Sequence, residues 1–149
     1  MKLYIADTNN LGRSCLASVE EVQDKRARRV WKGPLDDVAA TLAGQAAGDH
    51  ASIEPPPGGM SWAHVRFPPA AEAEAWGYKS VGFHRTRTID FDHLLTGELN
   101  CVLDDDVVQL EAGDFIILRA ANHQWVNPGD TVATLLCLLH QPATVGPPS

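Results

Sequence analysis

From residue 60 onward the chain is cut into short apolar runs by turn signals spaced roughly 8–12 residues apart, and this spacing limits the fold more than any other feature. The turn signals are Thr96-Gly97, Asp104-Asp105-Asp106, Glu111-Ala112-Gly113 and Asn127-Pro128-Gly129-Asp130. Between and before them lie strand candidates at 61–67, 80–88, 91–95, 98–103, 107–110, 114–119, 124–126 and 132–140. Within 61–67, Trp62, His64 and Arg66 alternate with Ala63, Val65 and Phe67, the period-2 pattern of a strand with two unlike faces. Short strands at this spacing predict an antiparallel sandwich or barrel. No strand–helix–strand alternation is present, so a parallel sheet is not expected.

The first sixty residues read differently. Leu3-Tyr4-Ile5 is a short strand candidate, followed by a turn at 9–12. Leu35, Val38 and Leu42 have helical spacing after Pro34 and Asp36-Asp37 and before Gly44, which predicts a short amphipathic helix. Pro55-Pro56-Pro57-Gly58-Gly59 then breaks the chain. The expected organisation is an irregular arm over 1–59 packing on a barrel core at 60–140, with a tail at 141–149. With 149 residues, one core is the expectation.

Composition narrows the function classes. A chain that is 44% hydrophobic and 21% charged is ordinary for a globular protein. Its 12 basic and 19 acidic residues give a net charge of −7, and the only basic run is Lys25-Arg26-Ala27-Arg28-Arg29. Nucleic acid is therefore not an expected partner, because phosphates need a positive face. Cys15, Cys101 and Cys137 are odd in number and widely spaced, unlike a disulfide framework or a thiolate zinc site. No stretch resembles a secretory signal, and 132–139, interrupted by Thr134, is too short to span a bilayer. A cytoplasmic protein without a membrane partner is expected.

Chemistry concentrates in two histidine contexts, His84-Arg85-Thr86-Arg87-Thr88-Ile89-Asp90 and 113–127, which holds Gly113, Arg119, His123 and Asn127. Imidazole and carboxylate suit a borderline divalent metal, and two His with one carboxylate leave positions open for water or substrate. Histidines that hydrogen-bond an organic ligand are the alternative. Arg119 could anchor a substrate carboxylate or form a surface salt bridge. Trp125 could line a pocket or pack in the core. His93 has the opposite parity to Asp90 and Asp92 and is expected at a packed or subunit face. The triple Asp at 104–106 reads as a hairpin tip.

The two contexts together resemble the cupin superfamily, whose first motif reads G-x5-H-x-H-x(3,4)-E-x6-G and whose second reads G-x5-P-x-G-x2-H-x3-N. His84 takes the first His place, Thr86 the second, Asp90 the Glu place, and Gly97 closes the first motif. Gly113 opens the second, Arg119 stands at the Pro, and His123 and Asn127 keep the final spacing. The leading Gly of the first motif is not in place, and the stretch before His123 is one residue short. The resemblance covers about residues 60–140 and is nearest to small single-domain cupins of the conserved-barrel type.

The resemblance implies an all-β, single-domain jelly-roll barrel that pairs as a homodimer. It also implies one divalent ion, Fe, Zn, Ni or Mn, on His84, Asp90 and His123, with Thr86, Arg119 and Trp125 around a small-molecule substrate. The reaction stays open among lyase, decarboxylase, isomerase and dioxygenase types. A second class, also open, is a non-catalytic ligand-binding cupin whose metal site has lapsed because Thr86 stands where a His is usual.

Overall fold

A computed structural model describes residues 2–21 and 54–142. Nine strands run in the order β1 (Lys2–Thr8), β2 (Ser14–Glu21), β3 (Met60–Phe67), β4 (Ile89–Thr96), β5 (Glu98–Leu103), β6 (Val107–Glu111), β7 (Phe115–Arg119), β8 (His123–Val126) and β9 (Ala133–His140). They form a six-stranded sheet, β2-β1-β7-β4-β9-β3, and a three-stranded sheet, β6-β5-β8. The two sheets remain separate, so the expected all-β architecture is a sandwich whose barrel is not closed. Among the described residues the only helical element is a single turn at Ala70–Glu72.

Alternation decides which residues enter the core. On β9, Ala133, Leu135, Cys137 and Leu139 are buried in turn, and on β5 Leu99, Cys101 and Leu103. With Leu94, Leu110, Ile116 and Leu118 they make one apolar cluster between the sheets. Each fully buried Leu or Ile there contributes about 1.5–3 kcal/mol relative to exposure. β4 obeys the same alternation with different chemistry, since the residues it buries are Asp90, Asp92 and Leu94. Two carboxyl groups therefore lie where the pattern elsewhere places aliphatic side chains.

Three expectations are corrected. Residues 80–88 are not a strand: Gly82 has φ +68°, and only His84 makes a β-bridge. Residues 2–21 are not irregular but form an antiparallel hairpin, β1 with β2. The mixed sequence Ser-Cys-Leu-Ala-Ser-Val-Glu-Glu of β2 has no clean period-2 pattern, as suits an edge strand. The sheet is also not wholly antiparallel, because β1 runs parallel to β7. The helix expected around Leu35–Leu42 lies outside the described residues.

The hairpin is clasped to the second sheet at its tip. Ser14 and Asp104 exchange bonds, the Ser14 N–H donating to Asp104 Oδ2 at 2.9 Å and the Asp104 N–H to Ser14 Oγ at 2.7 Å. Arg13 pairs with Asp105, and the Leu16 N–H donates to Asp106 Oδ2 at 3.0 Å. The triple Asp is thus a hairpin tip whose carboxylates receive donors from β1–β2. Asn122, next to His123, donates to Asp104 Oδ1 at 2.8 Å, so the clasp reaches the start of β8.

Candidate functional site

The two histidine contexts meet through backbone pairing. The His84 N–H donates to the His123 carbonyl and the His123 N–H to the His84 carbonyl, both at 2.9 Å. A directly opposed antiparallel pair of this kind projects its side chains to the same face. The two rings accordingly lie with centroids 4.4 Å apart and planes at 53°. His123 faces the interior at 2% exposure, and His84 is half-buried.

The same local device orients both rings. Nδ1 of His84 lies 3.0 Å from the Gly82 carbonyl, and Nδ1 of His123 lies 3.0 Å from the Ala121 carbonyl. A carbonyl only accepts, so each Nδ1 carries a proton, and the neutral form of either ring has Nε2 as its acceptor. Burial lowers the His123 pKa to about 4; the Ala121 hydrogen bond opposes this and His84 reinforces it. His123 is therefore neutral at physiological pH.

Asp90 reaches the interior from β4 at 4% exposure. Burial pushes its carboxyl up to about 6, against the hydrogen bond from Thr88 and the field of His84. Thr88 is buried and bonded to both Asp90 Oδ1 and Thr86 Oγ1, the latter at 2.7 Å. One hydroxyl has one proton, so with Asp90 ionised Thr88 donates to Asp90 and accepts from Thr86. The result is a hydroxyl relay from half-buried Thr86 to a buried carboxyl.

Sequence reasoning assigned no role to Asp92. It lies two residues further along the same face, opposite Cys137 on β9. Burial raises its pKa well above the ordinary carboxylate range, the Asp90 charge raises it further, and a hydrogen bond from Cys137 opposes both. Its Oδ1 is buried without a hydrogen-bond partner. The parity of Asp90 and Asp92 was the available signal. Burial of Cys101 and Cys137 beside these carboxyls pushes both thiol pKa values up, which removes them as nucleophiles at neutral pH.

The remaining candidates divide. Trp125 shares the inner face of β8 with His123, its ring edge-on at 5.7 Å. Phe67 lies 6.2 Å from both Trp125 and Tyr78, so an aromatic wall adjoins the imidazoles. Arg119 does not join the site. It stands on the opposite face from Leu118, opposite Ile89, and pairs with Asp7 Oδ2 at 2.7 Å, half-exposed. Asn127 locks a loop, donating to the Phe67 and Thr131 carbonyls at 2.9 and 2.8 Å and accepting from the Gly129 N–H at 2.8 Å. His93 stacks on Phe115 with centroids 4.0 Å apart, a packed face as expected.

The fit to a metal is partial. Both imidazoles have the tautomer that a metal takes, with Nε2 free and Nδ1–H held by a carbonyl. Among the described residues, however, no three His, Cys, Asp or Glu side chains gather closely enough to hold an ion. His84, Asp90 and His123 as arranged do not form a three-donor centre.

Residues 63–139 match the cupin domain, so the chain belongs to the cupin family. It is similar to oryzines biosynthesis cluster protein J of Aspergillus oryzae, 34% identical over 87 residues. That match covers 56% of this chain and 44% of the fungal protein, so the chain spans less than half the relative's length. Among solved structures it is similar to a Cupin 2 conserved barrel domain protein from Salinispora arenicola, with TM-score 0.48, 20% identity and coverage of 65% of this chain and 72% of that one. A predicted oxalate decarboxylase from Thermotoga maritima gives TM-score 0.45 at 23% identity, covering 54% and 65%.

Proposed function

We propose that this cupin holds a small organic molecule against His84, His123, Thr86 and Trp125, and that Asp90 exchanges a proton with it. One observation carries this reading: the buried Asp90 carboxyl is linked through two hydroxyls to a half-buried surface beside two imidazoles, and burial pushes its pKa up to about 6. A group that titrates near neutrality is matched to both giving and taking a proton. Isomerase, lyase and decarboxylase chemistry all need such a step. The fungal relative's name places that protein in a biosynthesis cluster, which agrees with small-molecule chemistry.

A second reading is favoured by the tautomers. His84 and His123 would hold one divalent ion, with Asp90 or the bound molecule completing it, and the ion would act as a Lewis acid. Elemental analysis of protein purified without a metal-affinity tag separates the two. The proton-transfer reading expects substoichiometric metal and ligand-induced stabilisation that survives a chelator. One ion per chain, lost in both His84→Ala and His123→Ala, would replace it with the metal reading. Once a screened ligand is turned over, Asp90→Asn is expected to slow turnover by about 10²–10⁴-fold while binding persists.

We also propose a homodimer in the cytoplasm. Among the described residues no helix is long and apolar enough to cross a membrane. The outer face of the large sheet supports self-association, with Leu136, Leu138 and Trp62 on it.

A further inference from the structure

We infer that the site selects uncharged, hydroxyl-bearing ligands with a flat apolar body, such as phenols and enols, and rejects carboxylates of the same shape. This rests on the reading of His84 and His123 as an organic-ligand site.

The hydrogen-bond direction at the imidazoles is the first ground. Both Nδ1–H groups are held by backbone carbonyls, Gly82 and Ala121. Neither Nε2 makes a hydrogen bond among the described residues, and with Nδ1–H held by a carbonyl a neutral ring offers its Nε2 lone pair to the ligand. Such a lone pair requires a donor. A hydroxyl donates to it, which a carboxylate cannot do.

The second ground is charge. Arg119, which could have anchored an anion, is paired with Asp7 on the outer face. Arg85 and Arg87 alternate outward, both exposed, while His84, Thr86 and Thr88 turn inward. The Arg85 guanidinium donates to the Gly12 carbonyl at 3.2 Å. Among the described residues no Lys or Arg is buried, whereas two carboxyls are buried in the adjacent strand. A carboxylate entering here would find like charge and lone pairs, an uncompensated arrangement.

The third ground is the aromatic wall. Trp125 and Tyr78 are partly buried against the core and flank Phe67. Such surfaces take flat apolar groups, with a polar contact fixing orientation.

The test uses three probes with one body: 4-ethylphenol, 4-ethylanisole and 4-ethylbenzoate, titrated at pH 7.5 into the full chain. Trp fluorescence gives the dissociation constants, and long-range ¹H–¹⁵N spectra follow the ring nitrogens. The phenol is expected to move the Nε2 resonance of His84 or His123 upfield. It should bind at least about ten-fold more tightly than the anisole, which lacks the donor, and than the benzoate. Benzoate binding as tightly as the phenol, with the same ring nitrogens shifted, would overturn the ligand class and leave the site standing. If none of the three moves either Nε2, the organic-ligand site itself falls, and Zn(II) titrated in the same spectra shows whether the imidazoles take a metal instead. Trp125→Leu is expected to weaken the phenol several-fold; an unchanged constant would remove the aromatic wall from the site.

Discussion

A carboxyl that titrates near pH 6 in the fold and near 4 in the open chain holds its proton more tightly when folded. As pH rises through that window, the unfolded chain ionises first, so Asp90 lowers stability by at most roughly 3 kcal/mol between pH 4 and pH 7. His123 acts with the opposite sign. Its folded value of about 4 lies below the ordinary 6.5, so the unfolded chain binds the extra proton and stability rises with pH across the same window. Asp92, raised by burial, adds to the Asp90 slope. Urea unfolding at pH 4, 5, 6 and 7 separates these contributions. Asp90→Asn is expected to match wild type near pH 4 and to exceed it increasingly toward pH 7. His123→Gln is expected to compare best with wild type at pH 4–5 and worst at pH 7. A pH-independent difference for either variant would mean that its group is not titrating in a buried site. Position 86 reads differently in space than in sequence. In the sequence Thr86 stands at a missing ligand place and beside a substrate, whereas in the fold its hydroxyl also begins the path to Asp90.

At the scale of elements, the turns that position the site are constrained by backbone conformation. Ala120 follows β7 with φ +49°, and its N–H donates to the Thr88 carbonyl at 3.0 Å, which joins the end of β7 to the relay. A left-handed Ala costs about 1–2 kcal/mol relative to a relaxed conformation. Ala120→Gly is therefore expected to raise stability by about 1 kcal/mol, measured as a higher urea midpoint with unchanged slope. Gly97, in the β4–β5 turn, is the reverse case. At φ +78° an added Cβ would lie 2.8 Å from the Ala133 Cα, so both conformation and space require glycine. Gly97→Ala should destabilise by more than about 2 kcal/mol, and a loss under 0.5 kcal/mol would contradict that packing. The strands from β4 to β9 were legible because alternation and turn residues agree there. Residues 80–88 misled because Val81, Phe83, Thr86 and Thr88 have strand propensity, while one bridge and a Gly82 turn decide their path. β2 was illegible because its sequence is mixed and it sits at an edge, supported by backbone pairing with β1 and by the aspartates of a distant hairpin tip.

The whole molecule leaves one sheet face to explain. Register places Trp62 beside Leu138 and His64 beside Leu136 on the side of the large sheet away from the core. His93 lies across Leu136 from His64, stacked on Phe115. Trp62 is 74% exposed, and β3 ends the sheet, so its far edge makes no ladder bonds among the described residues. An exposed tryptophan on an unpaired edge strand is a template for association, and in a negatively charged chain it would associate by apolar contact rather than by charge. Two copies meeting at β3 would cover Trp62 and complete the ladder. Light scattering is expected to give twice the chain mass. Trp62→Glu, which puts a carboxylate on that apolar face, is expected to give the chain mass with an unchanged circular dichroism spectrum. The imidazoles lie on the inner face, so the Nε2 response to 4-ethylphenol should survive in that monomer. A Trp62→Glu protein that remains dimeric would place the contact elsewhere on the sheet. Loss of the Nε2 response together with the dimer would mean that the site needs the second copy.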